Sequence, residues 1–118
     1  MAKKPSTVAI GRYRLGGDRP LFILGPCVIE SEAFIRRIAP AIRDIAEGAG
    51  VDFVFKASYD KANRSSIQSF RGTSCEAGCR LLAEIGAELE VPVTTDVHTA
   101  EEISIAADFI DVLQIPAF

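Results

Sequence analysis

The segment Lys56-Ala57-Ser58-Tyr59-Asp60-Lys61-Ala62-Asn63-Arg64-Ser65-Ser66 gathers three cations, an amide and several hydroxyls into one short stretch. That set of side chains suits an anion. Lysine brings a compact point charge and arginine a planar fork that holds two oxygens of a phosphate or carboxylate, with serine and asparagine completing the oxygen shell. A solvated basic loop paired with nearby acids has the same composition. Lys56 favours the anion, because it ends the apolar run Phe53-Val54-Phe55 and is held where that run stops. Cys27, in Gly25-Pro26-Cys27, follows two residues that restrict the backbone. A thiolate there suits a nucleophile or a metal ligand, and a lone cysteine serves equally as inert packing. Asp96 and His98 are separated by one residue, so an extended chain puts both on one side and allows acid–base pairing. Cys75 and Cys79 are spaced i, i+4, without a third or fourth ligand near them in sequence; packing on a helix is their expected use.

These groups need elements to position them. Short β-branched or aromatic runs alternate with longer helical patterns, the signature of βαβ units on a parallel sheet. A small hairpin is expected over Thr7 to Arg14, with Gly16-Gly17-Asp18 leading to a strand at Leu21 to Leu24. Ile35, Ile38, Ile42 and Ile45 make one apolar stripe and predict a helix from Ser31 to Glu47, stopped by Gly48 and Gly50. Pro40 falls inside it and predicts a kink or a break. Further strands are expected at Asp52 to Lys56, at Val91 to Thr95 and within Phe109 to Ile115. Thr73 with Glu76 and Thr99 with Glu102 have capping-box spacing, and the first of these opens a helix that buries Ala77, Leu81, Leu82 and Ile85. Cys27, Lys56, Asp96, His98 and Gln114 then all fall at strand ends. In a parallel sheet those carboxyl ends share the face that carries active sites.

Composition excludes several classes of function. The chain has 118 residues, 48% of them hydrophobic and 25% charged, the proportions of a globular protein, and a length near that of one domain. A net charge of -3 and a pI near 5.1 argue against a general nucleic-acid or membrane-surface binder, which needs excess Lys and Arg. The most apolar stretch, Pro20 to Ile29, is about half the roughly 20 residues of a membrane span, and the start carries no signal-peptide pattern. Three cysteines, an odd number, fit a reduced compartment, so the cytoplasm is the expected location.

The strings Asp52-Phe53-Val54-Phe55-Lys56-Ala57-Ser58-Tyr59-Asp60-Lys61-Ala62-Asn63-Arg64-Ser65-Ser66, Phe70-Arg71-Gly72, Thr95-Asp96-Val97-His98 and Gln114-Ile115-Pro116-Ala117-Phe118 resemble the 3-deoxy-D-manno-octulosonate 8-phosphate synthases. The resemblance runs from about Leu21 onward. The 3-deoxy-D-arabino-heptulosonate 7-phosphate synthases share the Gly-Pro-Cys opening but have a Lys-Pro-Arg-Thr type string, which makes them the alternative. The resemblance implies a TIM barrel that condenses phosphoenolpyruvate with D-arabinose 5-phosphate and water for lipopolysaccharide, in a cytoplasmic homotetramer. It implies that Lys56 and Lys61 hold phosphoenolpyruvate, and that Asn63, Arg64 and Ser65 bind arabinose 5-phosphate, Arg64 and Ser65 reaching a neighbouring subunit's site. Asp96, His98, Gln114 and Phe118 line the pocket, with Lys61, Asp96 and His98 as catalytic residues.

The same resemblance places the chain with the metal users, which have a cysteine where other members have asparagine. It implies Cys27 as one ligand to a divalent ion, whether Fe, Zn, Mn or Co, with the other ligands in later parts of the barrel. A closed barrel of this type takes about 250 residues. Residues 1–118 are therefore expected to form a single incomplete barrel domain, with a hairpin at 1–18 and the first strands and helices at 19–118. Two readings follow: part of an active synthase, or a phosphate-binding fragment inactive by itself.

Overall fold

The computed structural model describes residues 3, 6–60 and 74–117. An antiparallel hairpin comes first, as expected: β1 (Val8–Ile10) pairs with β2 (Tyr13–Leu15), Ile10 opposite Tyr13. Then β3 (Leu21–Leu24), β4 (Asp52–Lys56), β5 (Val93–Asp96) and β6 (Val112–Gln114) form a parallel sheet in chain order. The crossovers contain α1 (Glu32–Ala49), α2 (Cys75–Leu89) and α3 (Ala100–Ala106). The chain is thus α/β, and consecutive parallel strands joined by helices in this order make an arc of a TIM barrel. No helix among the described residues is long and apolar enough to cross a membrane.

The core lies between helices and sheet. Ile35, Ala39 and Ala46 of α1 and Cys79, Leu82 and Ile85 of α2 close over Phe53, Phe55 and Val93. Capping sets the helix ends. Ser31 is extended and its Oγ accepts the Phe34 N–H at 3.1 Å, while Gly50 ends α1 at φ 69°, a left-handed conformation that glycine adopts without steric cost. Thr99 caps α3, its Oγ1 accepting the Glu102 N–H at 3.2 Å.

Several expectations need correction. Pro40 does not break α1, which runs unbroken past it. Proline forfeits one backbone hydrogen bond, but Ile35, Ala39 and Ala46 flank it in sequence and are almost completely buried, and that packing holds the helix across the gap. Ile45 is not on the buried stripe: it is 71% exposed, and Ala46 takes the core position beside it. Gly48 lies within α1 and only Gly50 stops it. The cap of α2 is Ser74, whose Oγ accepts the Ala77 N–H at 3.2 Å. This register turns Ala77 to solvent, leaves Leu81 partly buried and puts Gly78, Cys79 and Gly86 against the core beside Leu82 and Ile85. The strand expected from Val91 starts at Val93, because Pro92 has no N–H for a ladder; its carbonyl still accepts the Phe55 N–H at 2.9 Å.

At the end of β3 the backbones of two strands converge. A Cβ on Gly25 would sit 1.7 Å from the Lys56 carbonyl oxygen, a backbone atom that cannot step aside. Gly48 is the opposite case, exposed in mid-helix with nothing within 4 Å of an added Cβ. Gly25→Ala is therefore expected to lower the unfolding free energy by about 3 kcal/mol or more. Gly48→Ala is expected to raise it by about 0.5–1 kcal/mol. Urea denaturation of both variants checks the pair, and a Gly25→Ala protein as stable as the parent would refute the close approach.

Candidate active site

Backbone register brings the strand ends to one rim. Beyond β3 and β4, Val28 bridges Ser58 in parallel and the Ile29 N–H donates to the Ser58 carbonyl at 2.9 Å, so Gly25-Pro26-Cys27 runs alongside Lys56-Ala57-Ser58. Lys56 pairs with Thr94 and Asp96 with Gln114, and the Val97 N–H donates to the Gln114 carbonyl at 3.1 Å. Cys27 is exposed there, Lys56, His98 and Gln114 are partly exposed, and Asp96 is buried. Of the residues singled out from the sequence, Asp96 and His98 are brought into direct contact; Cys27, Lys56 and Gln114 share the rim through the register. Lys61, Asn63, Arg64, Ser65 and Phe118 lie outside the described residues.

Asp96 is the centre of a polar chain. Its Oδ1 accepts the Ser58 hydroxyl, and its Oδ2 is 2.9 Å from His98 Nε2. A carboxylate removed from water costs free energy unless its oxygens are engaged, and here both are. On the other side of the ring, Glu102 Oε1 is 3.9 Å from His98 Nδ1 and accepts the Tyr59 hydroxyl. Glu102 Oε2 accepts the Thr99 hydroxyl at 3.0 Å, and the Tyr59 ring lies beside the imidazole with centroids 5.7 Å apart. Burial first, and then the bond to Glu102, push the Tyr59 phenol above its ordinary range, so it keeps its proton and stays a donor. An imidazole oriented by a buried carboxylate at an open rim is suited to moving a proton to or from a bound molecule.

Ser58, Tyr59 and Glu102 were not among the residues singled out as a site. One signal was present for Glu102: it stands four residues after His98, which places the two on one side of a helical turn. Ser58 and Tyr59 stood inside the cationic segment without any pattern of their own.

The other thiols are structural. Cys79 is fully buried on α2, while Cys75 is half-buried with its Sγ 3.8 Å from the Glu102 carbonyl. Burial, followed by the neighbouring Cys75, pushes the Cys79 thiol up to about 12, which leaves it unreactive as a nucleophile. Among the described residues no group of three or more His, Cys, Asp and Glu side chains is arranged to hold a metal ion. Cys27 offers one exposed thiol, and a metal centre needs about four ligands, so these residues do not by themselves fit one.

Comparison with known proteins gives a consistent result. A model of the DAHP synthetase I family matches residues 2–118. A protein of Geobacter sp. (strain M21), named 2-dehydro-3-deoxyphosphooctonate aldolase, is 48% identical over 112 residues, covering 94% of this chain and 41% of that protein. Proteins of the same name from Koribacter versatilis (strain Ellin345) and Methylibium petroleiphilum (strain ATCC BAA-1232 / LMG 22953 / PM1) are 51% and 50% identical, over 88% and 90% of this chain and 37% and 38% of their own lengths. The chain thus spans about two fifths of the curated relatives that it matches.

The raised Cys79 thiol predicts a pH dependence of stability. The folded state keeps the proton until about 12, whereas an unfolded chain releases it near the ordinary value of 9.0, so unfolding releases a proton between these values. The contribution is complete below pH 9 and lost as pH rises through that window. Thermal melts from about pH 8 to pH 10 should show a midpoint that falls less steeply in Cys79→Ala than in the parent, although the variant starts lower from its lost volume. Parallel slopes would contradict the assignment.

Proposed function

The chain belongs to the DAHP synthetase I family, and from that premise we propose that it supplies part of the active site of a 3-deoxy-D-manno-octulosonate 8-phosphate synthase. The reaction condenses phosphoenolpyruvate with D-arabinose 5-phosphate: the enol carbon joins the aldehyde carbon, water supplies the new oxygen, and inorganic phosphate leaves. The observation that carries this reading is the Asp96–His98 contact of 2.9 Å on a rim that also holds Lys56. The shared name of the relatives supports it.

Each residue has a task in that chemistry. Both substrates are anions, and Lys56 at the end of β4 supplies positive charge for the phosphoenolpyruvate. We assign Lys61 to the same anion, as a catalytic cation, and Asn63, Arg64 and Ser65 to arabinose 5-phosphate, where a guanidinium fork matches the phosphate oxygens. Attack on the aldehyde leaves negative charge on its oxygen, and His98, held by Asp96, is the group assigned to the proton that neutralises it. We assign Gln114 and Phe118 to the lining of the same pocket. Cys27 would be one ligand to a divalent ion (Fe, Zn, Mn or Co) only together with ligands from outside the described residues, and such an ion would supply Lewis-acid polarisation of an oxygen. Completion of the barrel by further sequence, assembly as a homotetramer, a cytoplasmic location and a role in lipopolysaccharide synthesis belong to the same reading.

The test is an assay of phosphate release by the protein that carries this sequence, with phosphoenolpyruvate and arabinose 5-phosphate. Release that depends on the five-carbon sugar is expected; release with a four-carbon aldose phosphate alone would point to the heptulosonate reaction. Asp96→Asn keeps the shape of the side chain but removes the carboxylate that faces His98, and is expected to lower kcat about 100-fold, the lower range for a general acid–base group. An Asp96→Asn enzyme with the parent's kcat would overturn the assignment.

A further inference from the structure

We propose that Glu102, held by the hydroxyls of Tyr59 and Thr99, is a positioning residue that fixes the ring of His98 from the side opposite Asp96. The torsion that rotates an imidazole is broad and nearly two-fold, so a histidine does not choose its ring orientation unaided. At His98 the choice is made at both ends. Asp96 Oδ2 stands 2.9 Å from Nε2, and Glu102 Oε1 stands 3.9 Å from Nδ1. A ring turned through half a revolution would set carbon atoms against both carboxylates. The Tyr59 ring, 5.7 Å away, closes the flank.

Glu102 is itself constrained more than a helix cap requires. Its backbone N–H already serves the cap of α3 through Thr99 Oγ1. Its carboxylate is placed separately: Oε2 takes the Thr99 hydroxyl at 3.0 Å, and Oε1, the atom nearest His98, takes the Tyr59 phenol. Tyr59 follows the end of β4 and is 2% exposed, so the phenol ties the first turn of α3 to the sheet across His98. The raised Tyr59 phenol keeps this donor protonated. Side chains from two crossovers thus converge on one imidazole, whose other partner, Asp96, is already engaged by Ser58.

The kinetic part of the test rests on the condensation proposed above; the spectroscopic part does not. In the protein that carries this sequence, Glu102→Ala is expected to lower kcat about 10-fold while KM for both substrates stays within about 2-fold, the pattern of a displaced catalytic group. Tyr59→Phe, which keeps the ring and loses the hydroxyl, should lower kcat less. Glu102→Gln retains an acceptor oxygen for Tyr59 and should restore most of the activity lost in Glu102→Ala. Long-range 1H–15N spectra should show the two ring nitrogens of His98 changed in Glu102→Ala and Tyr59→Phe while circular dichroism of both variants matches the parent. Unchanged kcat and unchanged ring nitrogens in those variants would overturn the proposal, as would a loss of kcat with ring nitrogens like the parent's. A parent protein that releases no phosphate would sink the condensation reading, and the ring nitrogens would still decide the role of Glu102.

Discussion

A backbone contact with no room for a side chain governs this molecule. Where Gly25 meets the Lys56 carbonyl, β3 and β4 come close enough for the parallel pairing to continue past both strands to Val28 and Ser58. That continuation places the Cys27 thiol and the Ser58 hydroxyl beside each other's segments, and Ser58 in turn reaches across to Asp96. A side chain at position 25 would push the two segments apart and draw the Ser58 hydroxyl away from the carboxylate. The rim is therefore set first by sterics, and its polar chemistry is hung from the result.

The energetic balance at Asp96 explains why the chain needs so many polar partners there. A carboxylate that is 6% exposed has lost most of its water, and only direct partners on both oxygens offset that loss. Ser58 and His98 supply them. Glu102, more open to solvent, is engaged in the same way by two hydroxyls. The imidazole lies between two acids whose own positions are fixed from outside, so it inherits the precision of the sheet rather than the mobility of a surface side chain.

Much of this was legible in the sequence, and the parts that were not share a cause. Local signals with a local mechanism could be read directly: the start of α1 near Ser31, the Thr99 cap, the Gly50 stop, and the alternation that sets Asp96 and His98 on one side. Ile45 was misread and no break occurs at Pro40, because both outcomes depend on what packs against α1. Its stripe passes through Ala39 and Ala46, small residues that a search for large aliphatics overlooks. The cap of α2 is Ser74 because the helix turns Gly78, Cys79 and Gly86 toward the core, a preference that Thr73 and Glu76 do not reveal. Tyr59 and Glu102 are 43 positions apart, and nothing in either neighbourhood announces that the fold will join them. Lys61, Asn63, Arg64, Ser65 and Phe118 lie outside the described residues; the first four rest on the chemistry of their segment and on the resemblance, and Phe118 on the resemblance alone.

The order β3-β4-β5-β6, with every strand running the same way, gives the sheet two unlike borders. β3 carries Phe22 and Ile23, 43% and 57% exposed, whereas the chain after β6 presents Ile115 at 68%. A parallel strand added to either border joins a left-hand side to a right-hand side, as in a head-to-tail contact, and such contacts have no symmetry axis to stop them. A strand from the same polypeptide would extend the curve toward closure. A strand from a second copy would extend it without a built-in end, so the geometry that makes a barrel possible is also a template for open-ended self-association.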